Sequence, residues 1–183
     1  MVELAACVYS ERSLIEMTTS ELNHLSPDAL FEELFKCCGS TKWAEELTNK
    51  RPFAGITDLL EKSDEVWSGC SDTDGLEAFT HHPKIGDLTS LEKKFASTKD
   101  WAGGEQAGVN SAKNETLADL ANGNETYEKN FGYIFIVCAT GKTADEMLEM
   151  LNQRLKNDAA TELKIAMNEQ NKITHLRLKK LIS

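Results

Sequence analysis

The sequence has few of the features that mark membrane, secreted or nucleic-acid-binding proteins. No apolar run approaches the roughly 18 residues that a membrane-spanning helix needs. The first residues contain neither a basic segment nor a sustained apolar one, so we predict no secretory signal. Acidic residues outnumber basic ones by 30 to 20, and Lys179–Lys180 is interpreted as solvated helix surface. Binding to nucleic acid or to an anionic membrane is therefore not expected.

Cysteine, proline and glycine are also scarce. The five cysteines show no Cys-x-x-Cys spacing, which favours reduced thiols in a cytoplasmic compartment over disulfides or a zinc site. A peroxisomal location is the alternative for a eukaryotic source, although an SKL-type C-terminal signal is lacking. With 3 prolines and 11 glycines among 183 residues, a long linker is not expected. We predict one domain over residues 1–183, with 1–20 as a loosely ordered N-terminal extension.

Helical periodicity dominates the rest of the chain. Ser26 and Pro27 predict the start of a helix and Gly39 its end. In the first half of the chain, further helices are predicted around Trp43, over 57–67, after a cap at Asp72 or Thr73, and over 90–96. In the second half, helices are predicted from 104 to an interruption at Asn122–Gly123, after a capping box at 143–146, and over 158–181. Periodicity does not decide whether the apolar run 131–139 is a strand or a helix. The predicted fold is all-α, a compact multi-helix domain.

One face of the last predicted helix is irregular. Its positions recur at three- and four-residue steps and should face the core: Leu163, Ala166, Gln170, Ile173 and Arg177. An arginine on such a face can extend to solvent, pair with an acid or bind an anionic ligand. The residues alone leave these three alternatives open. Gln170 is interpreted as a core amide whose hydrogen bonds are satisfied.

Two adjacent histidines precede a proline in a predicted loop at a helix end. An imidazole titrates near neutral pH and suits proton transfer, and Pro83 and Gly86 restrict the backbone around His82. A metal site formed by His81, His82 and Asp87 is an alternative. It has little support, because adjacent histidines rarely point at one ion and no second cluster of ligands follows.

Four segments in order carry a family resemblance. They are His-Pro-Lys-Ile-Gly-Asp at 82–87, Gly-Glu-Gln-Ala-Gly at 104–108, Tyr-Glu-Lys-Asn-Phe-Gly-Tyr-Ile-Phe-Ile-Val-Cys-Ala at 127–139 and Lys-Ile-Thr-His-Leu-Arg-Leu at 172–178. From about residue 22 onward the chain resembles the decarboxylases of 2-oxo-4-hydroxy-4-carboxy-5-ureidoimidazoline (OHCU), which also form half of bifunctional allantoin synthases in plants. The resemblance implies an all-α homodimer and the cofactor-free, metal-free conversion of OHCU to (S)-allantoin and CO2 in urate degradation.

The same resemblance implies roles for individual residues. His82 is the catalytic proton-transfer residue, Glu105 its acidic partner, and Arg177 the group that binds an anionic or carbonyl oxygen. The implied substrate-binding positions are Pro83, Ala102, Gln106, Phe135, Ile136, Val137, Cys138 and Ala139.

One position departs from the family pattern. Members typically have serine where this chain has Ala102, three residues before the glutamate, so a hydroxyl contact to the substrate is missing or replaced. This departure is the support for one alternative, a non-catalytic helical interaction module. A metal-dependent hydrolase that uses His81, His82 and Asp87 is the other.

Overall fold

The computed structural model describes residues 17–82 and 106–182, with the backbone alone for 106–114. Eight helices lie in these ranges: α1 (Thr19–His24), α2 (Pro27–Cys38), α3 (Thr41–Asn49), α4 (Ile56–Ser68), α5 (Asp72–Thr80), α6 (Gln106–Phe131), α7 (Ala144–Arg154) and α8 (Ala159–Leu181). The described residues contain one isolated β-bridge and no strand, so the all-α prediction is confirmed. Within the same ranges, none of the helices has the length and apolar character needed to span a bilayer. The helix predicted over 90–96 lies outside the described residues.

Capping residues set the boundaries of α2 and α7, as predicted. The Ser26 hydroxyl accepts a hydrogen bond from the amide of Ala29 at 3.2 Å. Gly39 ends α2 with a φ of 85°, a left-handed conformation that favours glycine. The capping box at 143–146 opens α7 through reciprocal hydrogen bonds.

The start of α5 differs from the prediction, which placed the cap at Asp72 or Thr73. Ser71 takes this position instead. Its hydroxyl accepts from the amide of Asp74, and the Asp74 carboxylate accepts from the amide of Ser71 at 2.7 Å. This capping box satisfies two backbone amides at once. The helix therefore begins at Asp72, earlier than a cap at Asp72 or Thr73 would allow.

The buried apolar side chains form two main clusters. The larger lies among α2, α3, α4 and the C-terminal end of α8, with Trp43 fully buried. The smaller lies among α6, α7 and the residues that follow α6, with Tyr127 fully buried. A third, small cluster joins α5, α8 and the segment after α6 through Phe79, Ile136 and Ala166. The candidate site lies at this junction.

Helix α6 continues through Asn122–Gly123, where we predicted an interruption. A glycine costs a helix about 1 kcal/mol relative to alanine, which is why the sequence suggested a break. Here, however, Gly123 lies against α7, and a Cβ added to it would be 2.6 Å from Cδ2 of Leu151. The prediction was wrong because this glycine allows two helices to pack closely rather than allowing a turn.

The apolar run after α6 is neither a strand nor a helix. Residues 134–139 are extended and pair with no strand in the described part of the chain. Gly132 and Gly141 flank them with φ values of 79° and 77°, left-handed conformations that glycine adopts readily. These glycines turn the chain out of α6 and then toward α7. The segment between them crosses the end of the junction between α5 and α8, where its backbone groups can form hydrogen bonds with side chains.

Candidate active site

A cavity of about 460 Å³ lies between the end of α5, the C-terminal half of α8 and residues 134–140. Small-molecule sites commonly have volumes of roughly 300–1,000 Å³. The described residues that line the cavity are the whole segment 134–140, His82 just after α5 and, from α8, Ile173, Leu176, Arg177 and Lys180. An apolar surface with one imidazole and two cationic groups suits a small polar anion.

The two adjacent histidines have different surroundings. His81 is the C-cap of α5, and its ring packs edge-on against Phe35 of α2 with 4.9 Å between the ring centroids. A Cβ at Gly39 would lie 2.8 Å from the Cβ of His81, so the close approach of α2 and α5 requires glycine there. His82 instead lines the cavity, with its Nε2 at 2.6 Å from Oε1 of Gln170. The structure thus separates a packing histidine from one at the cavity.

Gln170 occupies the core position predicted for it on α8. It is fully buried, and its Nε2 donates to the carbonyl oxygen of Cys38 at 3.1 Å and to Oγ1 of Thr174 at 3.3 Å. The interpretation as a satisfied core amide is confirmed. The contact with His82 was not predicted, because the spacing along one helix does not show what approaches it from another.

Arg177 lies two turns after Gln170 on the same face of α8 and lines the cavity. Its Nη1 donates to the carbonyl oxygen of Cys37 at 3.2 Å, close to the C-terminal end of α2, where a cation is favoured by the helix dipole. Burial lowers the pKa of Arg177, and the Cys37 and Cys38 thiols act in the opposite direction. A guanidinium remains charged at neutral pH. Among the described residues no carboxylate pairs with it.

Two charged side chains fix the backbone of the wall formed by residues 134–140. Nη1 of Arg154, on α7, donates to the carbonyl oxygen of Ile136 at 2.6 Å. Oε2 of Glu169, on α8, accepts from the amide of Cys138 at 2.7 Å. The segment has no strand partner in the described part of the chain, and these contacts replace hydrogen bonds that a sheet would supply. They hold the peptide groups of the wall in fixed orientations.

Glu169 is held in its charged form. Desolvation by itself would raise its pKa, but the hydrogen bonds from Lys172 and from the amide of Cys138 outweigh that effect and lower the pKa below its ordinary value. The Lys172 Nζ lies 2.6 Å from the carboxylate. An ionised carboxylate accepts a stronger hydrogen bond than a neutral one, which strengthens its hold on Cys138.

Arg154 belongs to a buried network with Glu162 and Tyr127. Its Nε donates to Oε1 of Glu162 at 2.7 Å, and Asn157 donates to the other carboxylate oxygen at 2.8 Å. The Tyr127 hydroxyl also donates to Glu162, and burial followed by this hydrogen bond raises the pKa of Tyr127 well above its usual range. Every polar group in this network has a partner, which buried charges require.

The predicted site residues divide into two groups. The structure brings together His82, Arg177 and the five wall positions, which are Phe135, Ile136, Val137, Cys138 and Ala139. Pro83, Ala102 and Glu105 lie outside the described residues. Gln106 begins α6, and only its backbone is described. Their proposed roles therefore stay predictions.

Several residues of the site were missed by reasoning from sequence. Lys180 was interpreted as solvated surface; it is exposed, yet it also lines the cavity. Lys180 lies three residues after Arg177, so extending the irregular face of the last predicted helix by one more step would have identified it. Arg154 and Glu169 gave no such signal, because a charged residue in an amphipathic helix usually faces solvent.

The histidine, cysteine and acidic side chains bear on metal binding and thiol chemistry. Among the described residues, no group of three or more histidine, cysteine, aspartate or glutamate side chains is arranged to hold a metal ion. Asp87, part of the alternative metal site, lies outside them. Burial raises the pKa of Cys37 to about 12 and that of Cys38 to about 12, so both are neutral thiols at physiological pH and poor nucleophiles.

Comparison with known proteins identifies relatives of this chain. The family model described as OHCU decarboxylase matches residues 23–179. The chain is 36% identical to the uric acid degradation bifunctional protein TTL of Arabidopsis thaliana, over 80% of this chain and 45% of that protein. It is 26% identical to the 2-oxo-4-hydroxy-4-carboxy-5-ureidoimidazoline decarboxylase of Haloferax volcanii, over 89% of this chain and 95% of that one.

A solved structure gives the same result. The fold is similar to that of an OHCU decarboxylase crystallised in the presence of (S)-allantoin, with a TM-score of 0.66 and 35% identity over 82% of this chain and 96% of that one. The chain thus spans less than half of the Arabidopsis bifunctional protein but nearly all of the Haloferax enzyme. Since the family model covers most of the sequence, this chain belongs to the OHCU decarboxylase family.

Proposed function

We propose that this chain converts OHCU to (S)-allantoin and CO2 in the cavity between α5, α8 and residues 134–140. Membership of the family supports the reaction, as does the likeness to a decarboxylase crystallised with (S)-allantoin. One observation carries the location. The His82 imidazole and the Arg177 guanidinium line one cavity of ligand size, opposite a wall of ordered peptide groups.

The substrate contains the electron acceptor that its decarboxylation needs. When the bond to the carboxylate breaks, its electron pair forms a C=C bond in the ring, and the nitrogen of the neighbouring C=N group takes the negative charge. Neither a metal nor pyridoxal phosphate is required as an electron sink. The carbon that bears the ureido group and the ring nitrogen then each gain a proton, and the hydroxyl loses one as it becomes a carbonyl, so that one proton is taken up in all. Overall, the carboxylate anion and one proton give allantoin and CO2.

Each side of the cavity supplies a different part of this chemistry. His82 transfers the proton, because an imidazole exchanges protons readily near neutral pH. Arg177 binds an anionic or carbonyl oxygen of the substrate through its planar donors. Peptide groups of 135–139 bind the ring and the ureido group without adding charge, and they orient the substrate toward His82. Glu105 is predicted to orient His82 or to contact the ureido and hydroxyl groups.

The local charge favours an anionic substrate although the chain as a whole is acidic. The net charge of −10 repels a carboxylate at long range. Arg177 and Lys180 are the cationic side chains among the described residues of the lining. These two cations attract the OHCU carboxylate toward this side of the cavity.

The assembly and the location of the protein are proposed from the family resemblance and from the composition. The resemblance to the family supports a homodimer, and the reduced thiols and acidic composition support a cytoplasmic protein without nucleic-acid or membrane partners. Light scattering on the purified protein should give the mass of two chains. A monomer mass at micromolar concentration would contradict the dimer.

The proposed reaction can be tested with freshly generated OHCU, since the compound also decays without enzyme. Circular dichroism follows the chirality of the allantoin formed, with and without a chelator. We expect rapid formation of the (S) enantiomer at a rate that the chelator does not change. Decay at the uncatalysed rate would instead support an interaction module, and loss of activity in chelator would support a metal-dependent enzyme.

A further inference from the structure

We propose that Gln170 is a positioning residue that holds His82 in the tautomer protonated on Nε2, so that Nδ1 is the nitrogen that gains and loses the proton. The proposal rests on the role assigned to His82 above. It adds which ring nitrogen reacts and which residue determines this.

The orientation of the Gln170 side-chain amide follows from its partners. One end of the amide lies 3.1 Å from the carbonyl oxygen of Cys38, which has no hydrogen to donate. Only the NH2 group can form a hydrogen bond there, because the reverse orientation would place two acceptors against each other. The Thr174 hydroxyl donates to the backbone carbonyl of Gln170 at 3.1 Å and can accept from the same NH2 group. The amide oxygen must therefore face His82.

The orientation of the amide determines the state of the imidazole. The amide oxygen can only accept, so Nε2 of His82, 2.6 Å away, donates and carries a hydrogen. A neutral imidazole has one N–H group, which leaves the basic lone pair on Nδ1. In the imidazolium, Nε2 is protonated as well. The hydrogen bond to Gln170 therefore persists in both protonation states, and the ring keeps its position while Nδ1 exchanges the proton.

The position of Gln170 makes it suitable for this role. It is fully buried and links α8 to the last carbonyl group of α2 and to the residue after the C-cap of α5. Arg177 lies seven residues further along the helix, a rise of about 10 Å at 1.5 Å per residue. The spacing along α8 thus sets the distance between the proton-transfer group and the anion-binding group.

A neutral residue at position 170 also affects when His82 is charged. Among the described residues, the charged side chains that line the cavity with His82 are Arg177 and Lys180. A carboxylate in place of the Gln170 amide would favour the imidazolium. Gln170→Glu should therefore move the acidic limb of the kcat/KM profile to higher pH, a change that a purely structural role would not produce.

The tautomer can be observed directly by long-range proton–nitrogen NMR on protein labelled with ¹⁵N-histidine. The chain has 4 histidines, and His82→Ala identifies the signals of His82. At a pH above the titration of the ring, we expect a protonated Nε2 and an unprotonated Nδ1. A predominant Nδ1–H form in the wild-type protein would overturn the proposal.

The variant Gln170→Met, close in size and unable to accept the hydrogen bond, tests whether Gln170 causes the preference. We expect a mixture of tautomers and a fall in kcat of about tenfold, with KM nearly unchanged because the residue acts through His82. Gln153→Met makes the same change at an exposed position of α7, where the side-chain amide donates to Glu149, and should leave both readouts unchanged. Thermal unfolding reports whether each variant is folded.

The outcomes separate this proposal from the proposed function. A folded Gln170→Met protein with the wild-type tautomer and wild-type kcat would overturn the positioning role. If His82→Ala retains full activity, the catalytic role of His82 fails, whatever the tautomer. If His82→Ala is inactive but the wild-type ring is protonated on Nδ1, the proposed function stands and the role of Gln170 falls.

Discussion

The two sides of the cavity are fixed by different kinds of partner. On the side of α5 and α8, His82 contacts the neutral amide of Gln170, and Arg177 donates to the carbonyl oxygen of Cys37. On the opposite side, charged groups hold the backbone of residues 134–140, through Arg154 at one peptide carbonyl and Glu169 at one amide. Among the described residues, neutral groups thus support the reacting side, and charged groups support the wall.

This difference follows from what each side must do. A group that exchanges protons needs a neighbour that tolerates both of its charge states, and the oxygen of an amide does so. The wall does not change its charge. It needs strong donors and acceptors, because its extended backbone has no strand partner in the described part of the chain. Charged side chains supply stronger hydrogen bonds than neutral ones, provided that they are themselves paired.

Removing the reacting group gives the largest expected effect. His82→Ala should lower kcat by about 10²- to 10⁴-fold, the usual contribution of a positioned acid or base. His81→Ala is the matched control, and its effect should be far milder because that ring packs against Phe35. Kinetics with fresh OHCU and thermal unfolding measure both effects. Equal losses of activity would show that the two histidines have not been distinguished correctly.

Disrupting the supports of the wall should affect stability first. Arg154→Met leaves Glu162, which is fully buried, without its charged partner, and should cost about 3–5 kcal/mol of unfolding free energy. Urea unfolding measures this cost. The double variant Arg154→Met, Glu162→Leu removes both charges and should be less destabilised than the single variant. If the single variant is as stable as the wild type, the network does not hold the wall.

Two conservative substitutions test the other two residues to which catalytic roles are assigned. Arg177→Lys keeps the charge but loses the planar pair of donors, and Glu105→Gln keeps the shape but loses the charge. Each should lower kcat/KM by at least about tenfold, equivalent to about 1.4 kcal/mol in the barrier. Steady-state kinetics measure both. Wild-type rates in either variant would contradict the role assigned to that residue.

The smallest effect is expected at Ala102, the departure from the family pattern. Ala102→Ser should tighten substrate binding by about 0.5–1.5 kcal/mol, the usual net contribution of one hydrogen bond. The gain should appear in KM rather than kcat, because the contact stabilises bound substrate and transition state alike. A lower kcat without tighter binding would mean that the site has repacked around alanine.

The sequence predicted the features that depend on local chemistry. Ser26, Gly39 and the capping box at 143–146 bound helices in the structure, because caps act within a few residues of the chain. Arg177 was identified because it breaks the apolar stripe of α8. His82 could be chosen over His81 only through the resemblance to the family, and the structure gives a physical distinction between them in the packing of His81 on Phe35.

Features that depend on contacts between distant segments were missed. Gly123 suggests a turn when considered alone, and its packing against Leu151 is visible only when α6 and α7 are together. Arg154 and Glu169 resemble ordinary solvated residues of amphipathic helices. Their function depends on the position of residues 134–140, an extended segment whose conformation the periodicity left undecided. Tertiary partners, rather than local propensity, determine each of these features.

A crystal structure of this protein with (S)-allantoin tests most directly whether the cavity is the active site. We predict that the ligand lies between His82 and Arg177, with its ring or ureido group bonded to peptide groups of 135–139. His82 should then reach the carbon that bears the ureido group through Nδ1. Allantoin bound elsewhere, with the cavity unoccupied at saturating ligand, would contradict this account.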